Sequence, residues 1–111
     1  MAEQDSWDDD NGAGTAVVTE KKQKLKKPKR YKVLLHNDDF TTMEFVVMVL
    51  RSIFRHTDET AVRVMLHVHQ KGVGVAGVYT HEIAESKVQK TTQIAREQEF
   101  PLRCTMESEE L

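Results

Sequence analysis

Apolar positions in this chain recur at two spacings, and the switches between them set out an order of elements. From Tyr31 to His36, the residues Tyr31, Val33 and Leu35 alternate with Lys32, Leu34 and His36, the two-residue period of a strand. Asn37-Asp38-Asp39 breaks the run, and Thr41 to Glu44 matches a capping box with Thr41 at the N-cap. Met43, Val46, Val47, Leu50, Ile53 and Phe54 then follow helical spacing. Phe45, Met48 and Val49 make that helix apolar on a second side, as expected of one that is deeply buried or lines a site. His56-Thr57-Asp58 is a second break and cap, Ala61, Val64, Met65 and Val68 form the next helical stripe, and Gly72 is a natural stop.

Val73 to Tyr79 is valine-rich but holds Gly74 and Gly77, which predicts a strand with a bulge or a close backbone approach. Thr80 can cap a third helix with the stripe Ala84, Val88, Thr91 and Ala95. Pro101 ends the following turn, and Leu102, Cys104 and Met106 alternate as a last strand. The predicted order is β-α-α-β-α-β: a small α+β domain over residues 30–108, three helices against a three-stranded antiparallel sheet.

Charge separates this domain from what precedes it. Residues 1–20 carry six acidic residues and no Lys or Arg, whereas residues 21–32 carry eight of the 16 basic residues and no acid. Neither stretch has apolar residues at a regular spacing to offset the entropy of ordering, so residues 1–29 are expected to form a disordered extension. The formal net charge of -2 over 111 residues sets the chain apart from polycations. No apolar run approaches the ~18 residues of a membrane span, and the acidic beginning of the chain lacks a signal-peptide pattern. One cysteine, Cys104, excludes an internal disulfide and makes a reducing, cytoplasmic setting the expectation.

Three chemistries compete on the residues themselves. His36, Asp38, Asp39, His67, His69, His81 and Cys104 are potential metal ligands, but His67 and His69 stand two apart on a predicted helix and point to different sides. With no nucleophile in a recognisable setting either, no metal, cofactor or catalysis is expected. The basic run 21–32 would attract phosphate, making a small nucleic-acid-associated domain the alternative reading. Against it stand the adjoining acids and the lack of interleaved aromatic residues. The third chemistry is a pocket: Asn37, Asp38 and Asp39 supply more polar groups than a helix cap requires, and Met65 and His69 share a face of the second helix with Val68 alongside. An acidic, amide-bearing rim over methionine and valine suits a group cationic at one end and apolar at the other, such as the hydrophobic N-terminal residue of a polypeptide.

Four separated stretches carry a family resemblance: Tyr31 to Val46 with its His-Asn-Asp-Asp-Phe-Thr core, Met65 to Gly72, Gly77 to Lys87, and Phe100 to Thr105. Together they resemble ClpS, the adaptor that delivers N-end-rule (N-degron) substrates to the Clp ATP-dependent protease. The resemblance implies a non-enzymatic, monomeric adaptor without cofactor, whose pocket binds substrates beginning with Leu, Phe, Tyr or Trp. It implies amino-group contacts at Asn37, Asp38 and His69, and a side-chain pocket of Asp39, Thr41, Met43, Val46, Met65, Val68 and Leu102. It implies docking of the N-terminal domain of a ClpA-type AAA+ unfoldase on Tyr79, Thr80, Glu82, Glu85 and Lys87, with the extension engaging the unfoldase during handover. Neither nucleic acid nor a membrane is implied as a partner. The family usually has Thr-Pro-Met where this chain has Thr41-Thr42-Met43, so Thr42 is expected at the first helical position.

Overall fold

The computed structural model describes residues 28–109. The expected extension therefore lies outside the described residues, apart from Pro28 and Lys29. The order is β1 (Arg30–His36), α1 (Met43–Ser52), α2 (Asp58–Lys71), β2 (Val73–Thr80), α3 (His81–Glu97) and β3 (Arg103–Ser108). It is the predicted β-α-α-β-α-β sequence, with three helices and a three-stranded sheet.

β1 is the central strand, antiparallel to both β2 and β3. Its alternation sorts the two faces: Val33 and Leu35 are fully buried, joining Val49, Leu50, Ala61 and Ala84 in one core. α3 packs across all three strands, α2 rests on β2, and α1 packs chiefly on α2. The register places Val33 opposite Gly77 but Leu34 opposite Val75, so Ala76 is an extra residue in β2. His56 meets the Ala76 carbonyl at 2.6 Å through Nε2. Because a carbonyl only accepts, Nε2 carries the proton there. The glycines allow the close approaches that the sequence predicts. A Cβ at Gly77 would run into the Tyr79 ring, and one at Gly74 would lie 2.7 Å from Val68 Cγ2, which brings α2 down onto β2.

Two local expectations are corrected. The N-cap of α1 is Thr42, not Thr41: the Thr42 side chain accepts from the Phe45 N–H, and Met43 is the first helical residue. The Thr41 hydroxyl and N–H both donate to Asp38 instead, which folds Thr41 into the turn before the helix. Glu44 consequently falls one place short of a capping-box position and acts only through its charge in the first turn. Thr42 likewise precedes the helix instead of occupying its first position. The other caps stand as expected, with Thr57 accepting from the Thr60 N–H and Gly72 ending α2 in the left-handed region at φ 91°. Thr80 caps α3 by position, without a side-chain hydrogen bond.

Candidate functional site

The loop between β1 and α1 is held at both ends. At its start, the Asn37 N–H donates to the Gly72 carbonyl at 2.8 Å, joining it to the C-terminus of α2. Further on, Asp38 Oδ1 accepts from the N–H groups of Phe40 (2.8 Å) and Thr41 (2.7 Å), while Oδ2 accepts from the Thr41 hydroxyl (2.7 Å). Partial burial alone would push the Asp38 carboxyl up, but these three hydrogen bonds outweigh it and hold the group below the usual aspartate value. The Gly72 stitch matters for a second reason. His69 lies in the last turn of α2, so the same junction sets the Asn37–Asp39 segment beside it.

Between this loop, α1 and α2 lies a cavity of about 230 Å³ lined by Asn37, Asp38, Asp39, Thr41, Met43, Val46, Met65, Val68 and His69. Val46, Met65 and Val68 are buried and form an apolar floor, whereas Asn37, Asp39, Met43 and His69 are exposed at the rim. The volume lies below the ~300–1,000 Å³ of typical small-molecule sites and suits one side chain. The rim offers an amide oxygen, two carboxylates and an imidazole. Asp38 has already committed three acceptor positions to its own loop, so Asp39, which makes no side-chain hydrogen bond among the described residues, is the freer carboxylate. The arrangement can accept hydrogen bonds from a cation at the rim while taking an apolar group below.

Nine of the ten residues expected at the amino-group and side-chain pocket come together in this one lining. Leu102 does not: it is buried just before β3 and is absent from the cavity wall. His36 also lies elsewhere, with Nε2 2.8 Å from the Thr105 hydroxyl across the sheet. Burial, with the Arg103 charge adding to it, lowers the His36 pKa, while Glu107 opposes. His81 packs edge-on against Tyr31, and among the described residues no group of three or more His, Cys, Asp or Glu is placed to hold a metal ion.

The residues expected to dock a partner form a separate patch at the end of β2 and the start of α3. Thr80, Glu82 and Glu85 are exposed there and Tyr79 is half-buried. A shallow depression joins Thr80 and Glu82 to Pro28, Lys29, Tyr31 and His81, so the described chain begins beside the patch. It shares no lining residue with the cavity. Lys87 proves to be partly structural, because its ammonium donates to the Ile53 carbonyl at 2.6 Å. Sequence spacing carries no sign of that contact, nor of the His56–Ala76 bond, since each joins positions 20 or more residues apart. Of the basic run, Arg30 pairs with Glu109 at 3.5 Å and Lys32 with Glu107 at 3.6 Å, in surface ion pairs with the end of β3 and the residue that follows it.

Comparison with known proteins supplies a frame for this geometry. Residues 26–105 match the family model described as "ATP-dependent Clp protease adaptor protein ClpS". An ATP-dependent Clp protease adapter protein ClpS of Caulobacter vibrioides is 54% identical over 109 residues, covering 98% of this chain and 100% of the relative. That of Myxococcus xanthus is 58% identical over 98 residues, covering 86% and 92%. Among solved structures, Agrobacterium tumefaciens ClpS2 bound to L-phenylalaninamide is similar with a TM-score of 0.72 and 45% identity, covering 74% of this chain and 99% of that one.

Proposed function

Since the chain belongs to the ClpS family of Clp protease adaptors, we propose that its cavity captures the N-terminal residue of substrate polypeptides beginning with Leu, Phe, Tyr or Trp. In this reading the protein is a cytoplasmic, non-catalytic adaptor that hands those substrates to a ClpA-type AAA+ unfoldase. The observation that carries the reading is the pairing, within one cavity, of acceptors at the rim with a buried apolar floor. The L-phenylalaninamide named with the Agrobacterium protein has the matching chemistry: a free α-ammonium, an aromatic side chain, and an amide where a second residue would follow.

The α-ammonium has three N–H donors and an ordinary pKa of about 7.7–8.0, so it is mostly charged near neutral pH. Asn37 offers its amide oxygen, His69 an unprotonated ring nitrogen, and the carboxylates of Asp38 and Asp39 the compensating charge. Burying the Leu or Phe side chain against Val46, Met65 and Val68 contributes about 1.5–3 kcal/mol. That alone would hold any exposed hydrophobe weakly. Selectivity comes from requiring both ends at once, because acetylation removes the charge and two of the three N–H donors, leaving rim acceptors underused.

Delivery is assigned to the patch of Tyr79, Thr80, Glu82 and Glu85, with Lys87 behind it. The observations that support it are its separation from the cavity and the position of Pro28 and Lys29 beside it, where an extension could reach a partner docked on the patch. Fluorescence anisotropy with a labelled peptide beginning with Leu, its N-acetylated twin and one beginning with Ala tests the pocket. Tight binding of the first alone is expected. Equal binding of all three would overturn the assignment.

A further inference from the structure

Resting on that reading of the cavity, we infer that Phe40 selects the second residue of a bound substrate, packing its ring against an apolar or aromatic side chain at that position. Phe40 lies between Asp39 and Thr41, both in the cavity lining, yet its own ring stays outside. At 77% exposed it is the most exposed large hydrophobic side chain among the described residues. Val46, Met65 and Val68 close the cavity below, so the first side chain ends there and the rest of a substrate leaves over the rim. The large exposed apolar side chain in the lining of that rim is Met43, 43% exposed, and Phe40 stands three residues before it on the loop that leads into α1.

A lone exposed hydrophobe is ordinary on a protein surface. Phe40 differs because its backbone is fixed: its N–H and that of Thr41 both donate to Asp38 Oδ1. The ring is presented from a rigid turn, so little backbone ordering accompanies contact. It also has no part in the core, so Phe40→Ala is expected to leave the fold intact.

The test uses the full chain and three free-amine probes: leucinamide, a Leu-Phe peptide and a Leu-Gly peptide of otherwise equal sequence. The wild type is expected to bind Leu-Phe about three- to tenfold tighter than Leu-Gly, the range of one aromatic pair. Phe40→Ala should bring that ratio to about one with leucinamide affinity unchanged, and Phe40→Leu should retain part of it. A ratio that persists in Phe40→Ala overturns the inference, as does an equal loss for all three probes, which would mean that Phe40 acts through the loop. A wild type that binds leucinamide but shows no preference removes this inference alone. One that binds none of the three removes the cavity reading with it.

Discussion

Lys87 on α3 reaches across to the Ile53 carbonyl at the C-terminus of α1, 2.6 Å away, with its ammonium 5.4 Å from the centre of the Tyr79 ring. Burial lowers its pKa, and the neighbouring charges of Lys90 and Arg55 add to the effect. A cation on a last-turn carbonyl completes a helix end, so this lysine joins α1, β2 and α3 at the edge of the proposed docking patch. Charge reversal there would test the fold together with the docking.

Lys87→Met is therefore expected to lower stability by about 1–2 kcal/mol, the worth of a hydrogen bond from a charged donor, readable as a shift in the urea unfolding midpoint. Glu82→Lys combined with Glu85→Lys should leave stability within about 0.5 kcal/mol and the affinity for Leu-starting peptides unchanged. The same double variant should lose association with the N-terminal domain of the unfoldase in a pull-down.

Asp38 and Asp39 are neighbours to which the proposed function gives different roles. Asp38→Asn removes one of two carboxylate oxygens that accept three hydrogen bonds, and should reduce both thermal stability and peptide affinity. Asp39→Asn should weaken peptide binding about five- to tenfold while the melting temperature stays put. Parallel calorimetry and anisotropy on the two variants separate these outcomes.

The depressed Asp38 pKa carries a pH dependence of definite sign. Its folded value lies below the unfolded one, so its contribution is complete above the ordinary aspartate value of about 3.9 and is lost as pH falls through the folded value. Urea midpoints measured from pH 6 down to pH 2.5 should decline more steeply for the wild type than for Thr41→Val, in which the carboxylate has lost its hydroxyl donor. Parallel slopes would show that the Thr41 hydroxyl leaves the Asp38 titration unchanged.

Met43, the first residue of α1, stands over the cavity with its side chain partly in solvent. Met43→Ala should widen the entrance and admit β-branched first residues, bringing Val- and Ile-starting peptides to within about tenfold of Leu. Unchanged discrimination would assign the exclusion to the floor instead.

Cys104 is buried, and burial pushes its thiol up to about 11, an effect that the neighbouring Thr91 hydroxyl offsets only in part. Native protein should react with a thiol-directed reagent at pH 8 at least tenfold more slowly than urea-unfolded protein. Among the described residues Thr91 Oγ1 is itself buried without a hydrogen bond of ordinary geometry, so Thr91→Val should be neutral or mildly stabilising.

Period and punctuation made most of the architecture readable in advance: the alternation around Val33 and Leu35, the Thr57 cap and the Gly72 stop each reappear in the fold. The misplaced cap of α1 has a local cause, because two threonines in a row satisfy the same pattern and only the Asp38 turn decides between them. Asn37, Asp38, Asp39, Met65, Val68 and His69 can be named from residue type and spacing, and the family resemblance implies the rest of the lining. What spacing could not convey is which acceptors the protein uses on itself. Asp38 and Lys87 look like free charges in the sequence and are bound in the fold, and His36 is drawn away to Thr105.

Gly74 sits where β2 passes beneath α2, with no side chain to hold strand and helix apart at Val68. That missing methyl works as a depth gauge. Val68 belongs to the cavity floor, and His69, the next residue, to its rim. A spacer inserted at the sheet would lift both together, shrinking the room below while displacing the imidazole above. If the cavity binds as proposed, the preference for first-residue size and the grip on its amine are coupled through a strand outside the cavity lining.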